Sequence, residues 1–237
     1  STEADATAVA VLAVSTLLAT ETVAASVKAK DKCELTHADR CTAGVLPFAN
    51  GLPLSTTAEE LAEECRNSTK AIKCLSDLST PECVPSGVAL GVFKLLIEGA
   101  ERESGLRCDS SHPKGQDYFK YIHCLNKVSK KLQTCQVTMA ANNEALLKRP
   151  VTERIPRLCC NYRKLYQCMH DEARAGCSEE HGKYVAGILS GIAEDAVETI
   201  CSRYKSDTCK QLSQIRAPKK PKYSTLIPSV VEAVNLS

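Results

Sequence analysis

The apolar residues of this chain recur at helical spacing. Val92, Leu96 and Ala100 stand at positions i, i+4 and i+8, which places them in one stripe along a helix. Ala, Leu, Glu and Lys are plentiful, whereas the alternation of Val, Ile, Thr and Tyr that is typical of strands is scarce. The pattern therefore predicts an all-α protein.

The fourteen cysteines form two sets with matching spacing, whose members correspond at offsets of 91 to 94 positions. We interpret the match as an internal duplication and expect a disulfide-rich helical bundle built from two duplicated halves, residues 33–115 and 116–212. Cys160 and Cys209 have no counterpart in the first half, so we expect them to pair with each other. The pairing within each set stays open. The first set is Cys33, Cys41, Cys65, Cys74, Cys83 and Cys108, and the second is Cys124, Cys135, Cys159, Cys168, Cys177 and Cys201.

Capping residues mark where several helices begin. Thr56 and Thr57 each precede a glutamate by three positions, which is a capping-box pattern, and Ser86 and Ser178 precede long apolar runs. In each half we expect a helix before the third cysteine, a short helix from the third to the fifth, and a long helix that ends at the sixth. The third, fourth and fifth cysteines are nine residues apart and cannot all share one helix face. The short helix should therefore be joined to two different neighbours.

The cysteine content also predicts the compartment. Structural disulfides persist in oxidising surroundings, so this content indicates a secreted, extracellular protein. Zinc binding is the competing explanation, but zinc ligands usually cluster at short spacing, whereas these gaps are mostly longer and only five histidines occur. We therefore expect structural disulfides, with no metal and no other cofactor.

Charge and aromatic content argue against several partners. The formal net charge is +2, from 30 basic and 28 acidic residues, so no global field favours nucleic acid. Aromatic residues make up 4% of the chain and tryptophan is absent, which argues against a surface that stacks bases or sugars. No run of 18 apolar residues occurs, so we expect no transmembrane segment.

Both ends of the chain are apolar. Ala8–Val14 resembles the core of a signal peptide, but Glu3 and Asp5 stand where basic residues are expected. We interpret residues 1–32 as an Ala-rich, buried helix of the mature protein and expect the signal peptide to be removed upstream. Residues 213–237 are interpreted as a basic, proline-containing linker followed by an apolar tail. We expect this tail to fold back onto the core, and docking into a second molecule is the alternative.

The sequence motifs do not indicate a reaction. Cys159-Cys160 followed by His170-Asp171 resembles part of the secreted phospholipase A2 signature, but Arg163 stands at the histidine position and no glycine-rich calcium loop precedes it. The chain also lacks nucleophile-elbow, phosphate-loop and zinc-protease motifs. We therefore expect a non-enzymatic protein without catalytic residues, and His170 keeps an enzyme as a minor alternative.

A bundle held by disulfides can still enclose an apolar cavity between its helices. A completely filled core is the alternative. The residues that we expect to line such a cavity are Val92, Leu96, Val185 and Leu189.

Two sequons predict N-glycosylation in a secreted chain, one at Asn67 and one at Asn235. Asn67 lies between two cysteines, where we expect an exposed turn. It is therefore the better candidate of the two.

Residues 157–201 read RLCCNYRKLYQCMHDEARAGCSEEHGKYVAGILSGIAEDAVETIC. This block resembles the terminal cysteine block of the insect twenty-seven-kilodalton hemolymph glycoprotein family. The resemblance implies an abundant extracellular arthropod glycoprotein that is helical and has no assigned catalysis. It supplies no binding residue. The matching elements are Cys160, Lys164-Leu165, Cys168, Glu172, Cys177-Ser178-Glu179 and the apolar helix from Gly187 to Cys201.

These observations favour a hemolymph-type or secretion protein that carries a small apolar ligand or lipid, or that acts in defence. The first alternative is a structural component of silk, glue, cuticle or egg coat that self-associates through its terminal segments. The second alternative is a venom or salivary toxin, which would use the same disulfides.

Overall fold

A computed structural model of the chain describes residues 33–213 and 215–235, and this part contains helices and turns but no strand. The prediction of an all-α, disulfide-rich protein is confirmed. The Ala-rich helix predicted at residues 1–32 lies outside the described residues. Residues from Leu35 onward form one compact unit. The helices are α1 Leu35–Ala43, α2 Ala58–Leu78, α3 Gly87–Cys108, α4 Pro113–Leu125, α5 Ser129–Leu146, α6 Val151–Gly176, α7 Glu179–Cys201, α8 Ser206–Gln211 and α9 Leu226–Val234, with a 3-10 turn, Asn126–Val128, between α4 and α5.

The capping residues begin the helices that the sequence predicts. At α2, the N–H of Glu60 donates to Thr57 Oγ1 and the N–H of Thr57 donates to the Glu60 carboxylate, each at 3.2 Å. These two bonds complete a capping box. At α3, the Oγ of Ser86 accepts a hydrogen bond from the N–H of Ala89. Ser178 is the residue that precedes α7.

The helices around the central cysteines differ from the prediction. Cys65 and Cys74 lie in the single helix α2, and Cys159 and Cys168 lie in the single helix α6. The expectation of one helix before the third cysteine and a separate short helix after it is therefore wrong. In α2 no glycine or proline interrupts the run, so nothing in the local chain ends the helix there. The long helices that end at the sixth cysteine, α3 and α7, are confirmed.

The connection between α3 and α4 is short, because α3 ends at Cys108 and α4 begins at Pro113. Proline suits the first helical turn, where its missing N–H would have no intrahelical partner. The N–H of Lys114 donates to Nδ1 of His112, which caps this helix. Helix α4 therefore continues across the 115/116 position that the cysteine pattern suggests as the division between halves.

The turn-rich segment 47–53 is held by one face of α5. Ser129, Gln133 and Gln136 stand at positions i, i+4 and i+7 of that helix, and their side chains donate to the carbonyls of Gly51, Ala49 and Pro47. Gly51 has φ +68°, and a Cβ at this position would overlap the amide of Gln133. The segment therefore needs glycine at this position both for its backbone and for its contact with α5.

Each half contains two disulfides that pair its cysteines in the same way as in the other half. Both Cys41–Cys74 and Cys135–Cys168 span 33 residues, whereas Cys65–Cys108 spans 43 and Cys159–Cys201 spans 42. Helix α2 is thus bonded to α1 and α3, and α6 is bonded to α5 and α7. The expectation of two different neighbours is confirmed. The shared connectivity is what a duplication would produce, and the duplication itself stays a prediction.

The remaining cysteines are also oxidised. The structure contains the Cys160–Cys209 bond that the sequence predicts, and a further bond joins Cys124 to Cys177. Cys33 and Cys83 are disulfide-bonded as well, which leaves no free thiol. The covalent framework therefore reaches every long helix from α2 to α7.

The two long closing helices, α3 and α7, pack against each other in the core. Their backbones lie close together at Gly99, where a Cβ would overlap the carbonyl oxygen of Ile192. The carboxyl-terminal helix α9 packs against α1, α3, α5 and α6. The expected fold-back of the apolar tail is therefore what the structure shows.

Candidate ligand cavity

The helix α9 is an apolar element held at its start by polar contacts. Ile227 and Val231 are buried, which follows from the strongly apolar composition of the segment. At its N-terminus, the carboxylate of Asp39 in α1 accepts hydrogen bonds from the N–H groups of Ser224 at 3.0 Å and Thr225 at 2.8 Å, and from both hydroxyl groups. Asp39 thus satisfies N–H groups that precede the first turn of α9.

Two further contacts hold the middle and the end of α9. The buried amide of Asn143 in α5 donates to Ser229 Oγ at 3.2 Å, and Asn161 in α6 donates to Asn143 Oδ1 at 2.9 Å. At the other end, the guanidinium of Arg154 donates to the carbonyl of Asn235 at 3.4 Å. These bonds fix the register of α9 on α5 and α6, because each partner meets one particular residue of the helix.

Beneath α9 lies a cavity of about 60 Å³, which we call the central cavity. Its surface is apolar throughout. Helices α3, α5, α6 and α7, together with Leu46, form its walls, and Leu226, Ile227 and Val230 of α9 complete the lining. A cavity of this size and polarity has no groups that would hold an ordered water.

The structure brings together three of the four residues predicted to line a cavity. Val92 and Leu96 of α3 and Leu189 of α7 lie on the wall of the central cavity. Val185 lines a neighbouring cavity of about 20 Å³, which also contacts Leu189. The stripe that α3 and α7 share was visible in the sequence, whereas the lining residues of α6 and α9 were not named.

The walls of the central cavity differ in how they are held. Helices α3, α5, α6 and α7 each carry at least one disulfide-bonded cysteine. Helix α9 carries none, and residues 215–225 before it, which contain Pro218 and Pro221, are not helical. Among the described helices that line the cavity, α9 is therefore the one that no disulfide joins to the rest of the bundle.

His170, which kept the enzyme alternative open, lies between carboxylates. Its Nδ1 is 3.2 Å from Asp171 Oδ1 and its Nε2 is 3.5 Å from Glu179 Oε1. Because both ring nitrogens face acidic oxygens, the side chain ties the end of α6 to the start of α7. Neither contact pairs the imidazole with a hydroxyl or thiol nucleophile of the kind that acyl transfer uses.

A second histidine, His181, contacts a hydroxyl, and both groups lie at the N-terminus of α7. His181 Nδ1 is 2.9 Å from Ser178 Oγ, which also donates to the Glu180 carboxylate at 2.7 Å. Burial lowers the pKa of His181 below its ordinary value. The serine hydroxyl is therefore shared between two side chains in the first turn of α7.

Two groups of cysteine and histidine have ligand atoms within 4.8 Å of one another in the described part of the chain. One is His37 with Cys41 and Cys74, and the other is His181 with Cys124 and Cys177. In each group the two sulfurs are bonded to each other. Thiolates are the form that binds metal, so neither group offers its sulfur ligands while the disulfide is intact.

A cluster of buried charges connects α2, α3 and α4. Lys114 Nζ is paired with the buried carboxylate of Glu103, and Arg107 NH2 lies 3.8 Å from Glu64 Oε1. Burial raises the pKa of the nearby Tyr118, whose hydroxyl donates to the carbonyl of Ser55 at 2.8 Å. The cluster therefore joins α2, α3 and α4 through ion pairs and through the Tyr118 hydrogen bond.

The two sequons lie in different surroundings. Asn67 is exposed, but it stands inside α2 rather than on the turn that the sequence predicts. The correction follows from the continuity of α2 through Cys65 and Cys74. Asn235 follows the last residue of α9. Glycosylation of either residue stays a prediction.

The fold and the disulfides define this chain as a cysteine-rich, all-α protein. Comparison with protein families, with curated proteins and with solved structures finds no match. Among the described helices, none combines the length and the apolar character that crossing a membrane requires.

Proposed function

We propose that this chain is an extracellular, non-enzymatic carrier of small apolar molecules, and that its binding site is the central cavity. The observation that supports the proposal best is an entirely apolar cavity covered by α9, a wall that carries no disulfide. Ligand pockets are mostly apolar and often lie between helices of a bundle. The rest of the frame is covalently fixed, so it stays in place when that wall moves.

The size of the cavity specifies how binding would occur. Its volume of about 60 Å³ is smaller than the roughly 150 Å³ that accommodates benzene. A fatty acid or a sterol therefore has to displace the side chains of Leu226, Ile227 and Val230. Binding is thus coupled to movement of α9, and the ligand replaces the apolar contacts that this helix loses.

The extracellular location in this proposal is supported by the oxidised cysteines. All fourteen are disulfide-bonded, a content that is sustained in the secretory pathway and outside cells. The resemblance of residues 157–201 to the insect hemolymph glycoprotein family points to the same location. The proposal also includes a role in defence as an alternative to the carrier function. It includes a glycan attached to Asn67.

The proposal is tested by binding of palmitate and of cholesterol to the full-length chain, measured by native mass spectrometry and by competition with a fluorescent fatty acid. We expect one bound molecule per chain and faster amide exchange of residues 226–234 when it is bound. If neither probe binds and the protein from its natural source releases no apolar compound on extraction, the carrier function is wrong.

A pair of matched variants locates the site. Ala193 lines the cavity and is 6% exposed, whereas Ala141 in α5 does not line it and is 7% exposed. Ala193→Leu fills the cavity and should lower affinity at least about tenfold, because a hydrophobic pocket discriminates by ~1–3 kcal/mol per methylene. Ala141→Leu overpacks a similar position and should leave the affinity within about twofold. Equal effects of both changes would place the binding site elsewhere.

A further inference from the structure

The disulfide Cys41–Cys74 differs from its counterpart by a histidine. His37 Nε2 lies 3.5 Å from Cys74 Sγ, and a ring nitrogen of His37 lies within 4.8 Å of both sulfurs. His37 precedes Cys41 by four residues, so both side chains lie on the same face of α1. His37 and Cys74 are half-buried, which leaves the bridge at the surface of the protein.

Arg40 determines which nitrogen of His37 carries the hydrogen and hence that Nε2 is the donor toward Cys74. Its NH2 lies 3.0 Å from His37 Nδ1, and a guanidinium only donates hydrogen bonds. Nδ1 therefore accepts, and the ring carries its hydrogen on Nε2, which faces the sulfur of Cys74. The sulfur of Cys74 therefore faces the Nε2–H group of His37, and the positive charge of Arg40 polarises this donor.

The second half provides an internal comparison. Cys135–Cys168 spans 33 residues, as Cys41–Cys74 does, so both bridges restrict the unfolded chain equally. In each bridge the first cysteine is buried and the second is half-buried. The position that corresponds to His37 holds Lys131, whose Nζ is 3.4 Å from Glu172 Oε2. The two bridges thus match in loop length and burial and differ in the donor beside the sulfur.

We propose that Cys41–Cys74 is a thiol-exchange site, which an external thiol such as glutathione reduces in preference to Cys135–Cys168. The proposal stands apart from the carrier function. A donor that stabilises the thiolate favours the reduced form of a dithiol pair, as at other oxidising disulfides. Here the Nε2–H of His37 holds the thiolate of Cys74 once the bridge is open.

The exchange proceeds by two displacements. An external thiolate attacks one sulfur of the bridge, the S–S bond breaks, and a mixed disulfide and a protein thiolate form. A second external thiolate attacks the mixed disulfide and releases the oxidised thiol RSSR. Two RSH molecules are oxidised and the bridge gains two electrons. Cys41 takes up one proton, Cys74 stays a thiolate on His37, and the second proton passes to solvent.

The experiment equilibrates the native full-length chain with graded ratios of reduced and oxidised glutathione. Free thiols are trapped by acid and alkylation, and each bridge is followed by peptide mapping. We expect the equilibrium constant for reduction of Cys41–Cys74 to exceed that of Cys135–Cys168 by at least about tenfold, which corresponds to ~30 mV for a two-electron couple.

The variant His37→Gln should reduce this difference to less than about twofold, because the amide lacks the imidazole donor. Lys131→Gln, the matched change in the second half, should leave the difference as it is. If His37→Gln fails to give the native circular dichroism spectrum, Arg40→Gln replaces it with the same direction of change, since Arg40 is exposed. The proposal is overturned if Cys41–Cys74 opens together with or after Cys135–Cys168. It is also overturned if the difference persists in the His37 or Arg40 variant.

Discussion

Asp39 is the side chain that holds the start of α9. Its two oxygens accept four hydrogen bonds from Ser224 and Thr225, which are 185 and 186 residues away in the chain. No local pattern could have identified it, because an aspartate in a short helix is ordinary and its partners are distant. The sequence predicted that the tail folds back, but it did not predict the residue that anchors it.

The variant Asp39→Ala tests this role. It leaves the N–H groups of Ser224 and Thr225 without their partner, so we expect a loss of ~1–3 kcal/mol in the free energy of unfolding and faster amide exchange in residues 226–234. Denaturant unfolding and exchange mass spectrometry measure the two effects. Asp77→Ala is the control, since this side chain is 64% exposed and pairs only with Lys73 in the same helix. It should change stability by less than about 0.5 kcal/mol. Unchanged exchange of α9 in Asp39→Ala would show that other contacts hold this helix.

The packing of α3 on α7 shows what the sequence could and could not predict for whole elements. The shared stripe of Val92 and Leu96 with Val185 and Leu189 correctly assigned both helices, because their apolar positions repeat at helical spacing. The close approach at Gly99 was not predicted. Glycine in a helix usually lowers its stability, and only the neighbouring backbone shows why it occurs at this position. The predicted helix ends are wrong where the prediction places a helix boundary at a cysteine, as it does at Cys65 in α2.

Replacement of two glycines of α3 by alanine should change the stability of the protein in opposite directions. A Cβ at Gly99 would overlap the carbonyl of Ile192, so Gly99→Ala should push α3 and α7 apart and destabilise the protein by ~1–3 kcal/mol. A Cβ at the exposed Gly91 meets nothing within 4 Å. Gly91→Ala should therefore stabilise the protein by up to ~1 kcal/mol through higher helix propensity. Thermal and denaturant unfolding measure both changes. Similar effects of the two substitutions would contradict the close packing of α3 on α7.

For the whole molecule, the cysteine spacing predicted more than any other feature. It predicted the disulfide-rich framework, the Cys160–Cys209 pair and the attachment of the central helices to two neighbours each. It left the pairing within the two sets open, because pairing depends on which helices are adjacent in three dimensions. The central cavity was predicted only in part, since α9 reaches it across a long non-helical segment and sequence periodicity does not report such contacts.

Disulfides join the helical walls of the cavity to the rest of the bundle, whereas α9 contains no cysteine. Peptide mapping of the unreduced protein, by mass spectrometry after digestion at acidic pH, is the measurement that decides whether this framework is correct. We expect the pairs Cys41–Cys74 and Cys65–Cys108, their counterparts Cys135–Cys168 and Cys159–Cys201, and the additional bonds Cys124–Cys177 and Cys160–Cys209. A different pairing in the two halves, or a large fraction of free thiols in native material, would contradict it.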